Sequence, residues 1–308
     1  MTIKLHQLNA LVSVVEHGSI RAAARALHLS QAALTKALKL LEADSAVSLL
    51  VRRASGVVLT ETGERLALRA RLITRQLALA EGELHEAAQA DNSEVRIALT
   101  PYLILTTLSM AHHWFRKRYP KATLQVLEGL AARALPRLRD GALDFALVGI
   151  TDEMELGDFA SEAWPTKAQV IVARDGHPLR AMTGPAPPIS AQVAAEHEWA
   201  LPGPLITAGL GTARFAAMFA AACVSAPRQV TRCDAMGVIA LVRNTDLLSI
   251  FPEPLVGLPE TAGIGRIEVQ GLRAPALELA LLRRVDVPLS TAARYLAQCL
   301  RDAANRPG

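Results

Sequence analysis

At 308 residues the chain can hold two or three domains with substantial cores. About half of it is hydrophobic, yet no apolar run reaches the length of a membrane span, and the start lacks the basic opening, apolar block and cleavage site of a secretory signal. Cys223, Cys233 and Cys299 are odd in number and far apart, which implies a reducing, cytoplasmic setting without disulfides; no Cys/His grouping has metal-ligand spacing, and no metal or cofactor is expected.

The net charge of +4 is uneven. Up to Leu59, Lys4, Arg21, Arg25, Lys36, Lys39, Arg52 and Arg53 oppose only Glu16, Glu42 and Asp44, so the excess sits in the first fifth of the chain. Such clustering fits a phosphate-facing surface.

A first helix over about 4–17 carries Leu8, Leu11, Val12 and Val15 on one stripe. Ser19 then caps a second helix with Ile20, Ala23, Ala24 and Leu27 at helical spacing, and Ser30 caps a third that buries Leu34, Leu38 and Leu41. The outer face of this third helix offers Gln31, Thr35, Lys36 and Lys39. An amide can read base edges in a major groove, and ammoniums can neutralise phosphates. The pair reads as a helix-turn-helix, although a helical hairpin with a solvated polar face is the plainer alternative. Two short apolar runs, Leu49–Val51 and Val57–Leu59, flank a Gly-containing turn and read as a β-hairpin wing bearing Arg52 and Arg53.

Thr60 caps a long helix over about 61–89. Leu66, Ala70, Ile73, Leu77, Ala80, Leu84 and Ala87 form a heptad seam, and a lone helix with that seam exposed needs a partner. A second stripe at Leu68, Leu72 and Leu79 is an alternative face for packing within the chain, and Gly82 is a place where the helix can bend. Residues 88–93 are a polar hinge. Strands and helices then alternate: strands at 95–100, 122–127 and 145–149, and helices at 101–119 and 130–139. From about Trp164 a second lobe follows, with a return to the first near Arg266. The fold class is therefore α/β: an N-terminal winged helix-turn-helix (1–60), a linker helix (61–90) and a two-lobed effector domain (91–308). Lobe I takes about 94–163 and 266–308, and lobe II takes about 164–265, as in periplasmic binding proteins.

The stretch GSIRAAARALHLSQAALTKALKLLE (18–42), with LNALVSVVEHGS before it and LLVRR and GVVLTETG after it, resembles the amino-terminal signature of LysR-type transcriptional regulators. YPKATLQVLEG, LRDGALDFALVG and ARDGHPL resemble segments of their effector domains, and within the family the likeness points to the branch of toluenesulfonate regulators. Ala46 departs from a usual glycine, Ala32 from a frequent proline and Leu50 from a frequent phenylalanine. The resemblance implies a DNA face of Arg21, Ser30, Gln31, Ala32, Thr35, Lys36, Lys39, Arg52 and Arg53, reading double-stranded operator DNA. It implies dimerisation through Leu66, Ile73, Leu77 and Leu84, assembly into a homotetramer, and RNA polymerase as a further candidate partner. It also fits a cytoplasmic, nucleoid-associated bacterial protein.

A small organic-acid effector is expected between the lobes. Thr100 and Pro101 suit the N-cap and first position of a helix, where free N–H groups favour an anion. Leu130, Leu201, Pro202, Gly203 and Met236 supply largely apolar walls, and Thr207, Gly209 and Gly211 a loop over them. A solute-binding protein remains the alternative function. Enzyme activity is not expected: neither Asp144 with His177 nor Asp234 with Cys233 completes a nucleophile–base–orienter set.

Overall fold

The computed structural model describes residues 3–53, 56–87, 93–151, 154–181, 189–203 and 212–306. The chain opens with α1 (Leu5–His17), α2 (Ile20–Ala26) and α3 (Gln31–Ser45). Ser19 Oγ accepts the Ala22 N–H and Ser30 Oγ the Ala33 N–H, each at 3.1 Å, so both helices start on the N-cap bonds their sequences predict. Leu11, Ala23, Leu34 and Leu41 are fully buried and close the three-helix core.

Ala46 ends α3 in the left-handed region, at φ 52°. A glycine would sit there without Cβ strain; alanine costs roughly 1 kcal/mol. What holds the next segment is Glu42. Its Oε1 accepts the N–H of Leu49 at 2.8 Å and of Leu50 at 3.1 Å, just before β1 (Leu50–Arg53) pairs antiparallel with β2 (Gly56–Leu59). Thr60 Oγ1 donates to the Ser48 carbonyl and accepts the Gly63 N–H. A Cβ on Gly63 would lie 2.1 Å from the Leu49 carbonyl oxygen, so only glycine allows this approach.

The linker helix α4 (Glu61–Ala87) continues through Gly82. Its heptad seam is divided. Leu66 and Ala70 pack on Leu8 and Val12 of α1, and Ala70 is fully buried. Leu66 is therefore spent within its own domain, a correction to its expected place in a dimer seam. Ile73 and Leu77 stay 50% and 38% exposed. The side chain of Leu84 lies outside the described residues, as do residues 88–92 of the expected hinge.

Lobe I contains β3 (Glu94–Leu99), α5 (Pro101–Thr106), α6 (Leu108–Arg118), β4 (Thr123–Glu128), α7 (Ala131–Arg139), β5 (Phe145–Gly149) and β6 (Phe159–Lys167). The single helix expected over 101–119 is broken at Thr107, whose φ of −125° leaves helical geometry. Lobe II contains β7 (Gln169–Arg174), α8 (Pro178–Ala181), β8 (Ile189–Ser190), α9 (Ala191–Glu196), β9 (Trp199–Pro202) and α10 (Thr212–Ala221), then β10 (Val230–Cys233), α11 (Ala235–Asn244), β11 (Ser249–Pro252), β12 (Ile264–Arg266) and β13 (Val269–Gln270). The chain returns to lobe I for β14 (Leu277–Arg284) and α12 (Thr291–Ala304).

The lobe I sheet has the order β4-β3-β5-β14-β6. Both faces are covered, and the strands alternate accordingly. Ile97, Leu99, Phe145, Leu147, Leu279 and Leu281 join the core that holds α6 and α12, while Ala98, Ala146, Val148, Ala280 and Leu282 join the core that holds α7. In lobe II, β7 is central between β11 and β12, and a Trp199–Leu248 bridge links this sheet to the β9–β10 pair. Only Ala168 separates β6 from β7, so Trp164 belongs to lobe I. The return lies later than the expected residue 266: β12 pairs with β7 and β13 with β8, which keeps the chain in lobe II through Gln270.

Candidate DNA-reading face and interlobe cleft

Burying Leu34, Leu38 and Leu41 turns the opposite side of α3 outward. Gln31, Ala32, Thr35, Lys36 and Lys39 line one open furrow there, with Leu40 and Ala43 as its apolar part. The last two were not anticipated, although Leu40 is 44% exposed and follows Lys36 at helical spacing. Ser30 is exposed at the helix start and Arg21 on α2. Arg52 and Arg53 stand on the wing strand opposite Val57 and Gly56; their side chains lie outside the described residues. One helix thus presents an amide, a hydroxyl and two ammoniums along one line, next to a wing.

Between the lobes lies a cavity of about 210 Å³. That is below the usual range of ligand pockets, about 300–1,000 Å³, and restricts an occupant to a small molecule. Lobe I contributes Leu130–Ala132 at the start of α7, Gly149–Thr151 after β5, Met154, and Leu277 and Glu278 of β14. Lobe II contributes Gln169, Leu201–Gly203, Arg214, Phe215, Arg232 and Ile250. Most of the wall is apolar. Its polar lining includes Arg214, whose guanidinium is 3.4 Å from the Glu278 carboxylate, together with Arg232 of β10, Gln169 and Thr151. The Thr151 hydroxyl is buried and has no hydrogen-bond partner among the described residues. A buried hydroxyl in that state favours a ligand that supplies one.

Of the expected effector residues, Leu130, Leu201, Pro202 and Gly203 do line this cavity. Thr100 and Met236 do not. Thr100 is 5% exposed, with its N–H bonded to the Leu147 carbonyl, and Met236 points outward at 64% exposure. Pro101 borders an adjoining cavity of about 30 Å³, which is room for about one water and too small for an organic acid. The helix behind Pro101 is also only six residues long, so its dipole is small. The basic side chains that line the larger cavity are instead Arg214 and Arg232. Sequence reading missed both because neither arginine sits in a motif, and only the fold brings α10 and β10 to one wall. Residues 207, 209 and 211 of the expected covering loop lie outside the described residues.

The paired residues considered for catalysis are apart or inert. The Asp144 carboxylate accepts the Arg96 N–H at 2.7 Å in lobe I, whereas His177 is buried in lobe II against the Asp246 carbonyl. Burial pushes the Cys233 thiol up, as does adjacent Asp234, so it is held protonated. The Asp234 carboxylate caps α11 by accepting the Gly237 N–H. Among the described residues, no cluster of His, Cys, Asp and Glu could hold a metal ion, and no helix is long and apolar enough to cross a membrane.

A winged helix-turn-helix joined by one long helix to a two-lobed α/β domain defines a ligand-responsive DNA-binding protein. Residues 5–64 match the family described as bacterial regulatory helix-turn-helix protein, lysR family, and residues 88–305 match the LysR substrate binding domain. The chain belongs to the LysR family of transcriptional regulators. It is 30% identical to the transcriptional regulator GbpR of Rhizobium radiobacter, over 92% of this chain and 89% of that one. Its likeness to TdcA of Escherichia coli K12, 32% identical, spans 55% of this chain and about half (54%) of TdcA. Among solved structures, full-length CbnR in complex with its target DNA superposes with a TM-score of 0.65 at 20% identity, covering 97% of this chain and 99% of that one.

Proposed function

We propose that the chain binds operator DNA through the furrow of α3 and the β1–β2 wing, and that a small organic acid in the interlobe cleft controls this binding. The observation that carries the DNA half is the alignment of Gln31, Thr35, Lys36 and Lys39 on the exposed side of a helix whose other side is core. The α4 helices pair two chains through Ile73 and Leu77, two such dimers form a tetramer, and RNA polymerase is a further partner. The protein works in the cytoplasm, on the nucleoid.

The effector reading rests on a largely apolar interlobe cavity whose lining includes Arg214, Arg232 and Thr151, the last with a buried hydroxyl that has no hydrogen-bond partner among the described residues. Arg214 stands opposite Glu278, and Arg232 adds a second guanidinium to the lining, which suits an anionic group better than a neutral one. A single-ring carboxylate or sulfonate fits both the charge and the walls, and a toluenesulfonate-like acid is one such molecule. The test is titration of the full chain with fragments of its own upstream DNA at several salt concentrations, with and without benzoate or benzenesulfonate. Binding to that DNA no tighter than to unrelated sequence would remove the regulatory reading.

A further inference from the structure

Helix α7 touches both halves of the protein. Its first turn, Leu130–Ala132, forms part of the wall of the interlobe cavity. Its other end meets the linker helix α4. There the Ala142 N–H bonds the Arg137 carbonyl at 2.8 Å and the Gly141 N–H bonds the Leu138 carbonyl at 3.1 Å, the Schellman pair that closes a helix on a left-handed residue. Gly141 holds that position at φ +70°, and a Cβ on it would come within 2.9 Å of Leu72 Cδ2. Beside it, the Arg71 guanidinium is 3.9 Å from the Asp140 carboxylate. A nine-residue helix thus stands between the cleft and the arm that carries the DNA-binding head.

Two features bear on how α7 responds to a push at its first turn. Its buried side is Ala131, Ala134 and Leu138, sharing a core with Ala98, Ala146 and Ala280. The alanines on the two sides offer few protruding knobs, although Leu143, Val148, Phe159 and Leu282 share the same core. Pro136 lies inside the helix and has no N–H to give the Ala132 carbonyl, which loosens the first turn from the last.

We infer that α7 is the strut that reports cleft occupancy to the linker helix: a molecule seated against Leu130–Ala132 displaces α7 and alters how Leu72 and Arg71 rest on Asp140–Gly141. This rests on the reading of the cleft as the effector site. The steric contact at Gly141 carries the coupling, since a partly exposed ion pair such as Arg71–Asp140 contributes little by itself. Coupling of this kind is reciprocal, so a change at Leu72 must also be felt at the first turn of α7.

Amide hydrogen exchange on the full chain tests the strut without any ligand. Ala132→Trp places a bulky group in the cavity at the cleft end of α7. It should change exchange over residues 68–75 by about fivefold or more, the lower end of ordinary coupling, and Leu72→Ala in the same chain should abolish that response. From the opposite end, Leu72→Ala or Gly141→Ala alone should change exchange over residues 130–134, which keeps the test alive if the tryptophan is not tolerated. Unchanged α4 exchange in Ala132→Trp, or an unchanged first turn of α7 in both far-end variants, overturns the inference. Calorimetry with benzoate and benzenesulfonate judges the cleft reading separately, because the exchange experiment contains neither.

Discussion

Arg214 of α10 faces Glu278 of β14 at 3.4 Å, so an ion pair joins lobe II to lobe I at the cleft. With the side chains 28% and 44% exposed, solvent screens the pair and it contributes no more than about 1 kcal/mol. Its effect on a ligand is larger than its effect on stability, because the Glu278 carboxylate repels an anion approaching Arg232. Glu278→Gln should tighten binding of benzoate or benzenesulfonate by about fivefold, equivalent to about 1 kcal/mol. Weaker binding in calorimetry would mean that Glu278 contacts a donor group on the ligand.

Arg232→Ala removes a charged donor from the cavity lining and should weaken the same acids by about 1.5–3 kcal/mol, or more than tenfold. Thr151→Val should weaken them less. Thr100→Val should leave affinity unchanged, since Thr100 lines neither cavity. An acid that loses affinity with Thr100→Val but not with Arg232→Ala would return the binding site to the start of α5.

For DNA, Lys36→Ala and Lys39→Ala should each lower the slope of log affinity against log salt by about 0.9, the value for one phosphate contact. Gln31→Ala should leave the slope intact and relax base preference at particular positions. Identical slopes in wild type and both lysine variants would show that α3 does not face the DNA backbone.

Ile73→Asp together with Leu77→Asp should split the dimer and abolish tight operator binding, because both residues are exposed along the middle of α4. Leu66→Asp should instead unfold the DNA-binding head, given its packing on Leu8 and Val12. Sedimentation and thermal unfolding separate the two outcomes. A dimer that survives the double substitution would move the interface elsewhere.

Acid should destabilise lobe II through His197. Burial holds this imidazole below its ordinary range and the neighbouring His177 ring pushes the same way, while Asp246 and Glu196 act weakly against them. His177 cannot relieve the crowding without loss: its Nδ1 accepts the Leu179 N–H at 3.0 Å. With the folded value lowered, the unfolded chain binds more protons, so stability is present above the unfolded value of about 6.5 and falls as pH drops through it. His197→Gln should flatten unfolding midpoints between pH 7 and pH 5, a window set by about that same value. An unchanged pH dependence would assign the effect to another group.

The three-helix head was legible because its signals are local: serine caps, a leucine stripe of helical period and a polar face opposite. Strand and helix order in the effector domain was legible for the same reason. The cleft was only half legible. Leu130 and Leu201–Gly203 end or begin regular elements at the cleft, and that could be read. Arg214 and Arg232 lie on elements that become neighbours only through the order of strands and the crossing between lobes. Leu66 misled because one heptad stripe serves two partners, α1 near its start and open solvent further on. The break at Thr107 carries no glycine or proline to announce it.

The lobes are joined by Ala168 alone on one side and by residues 271–276 on the other, where Leu272 is buried in the lobe II core. The Ala168 link is pinned as well, since its carbonyl accepts the Glu253 N–H at 2.9 Å. Any change of angle between the lobes must therefore turn the backbone at Ala168 and repack the apolar core that Leu99, Tyr102 and Leu103 share with Val170, Val238 and Phe251.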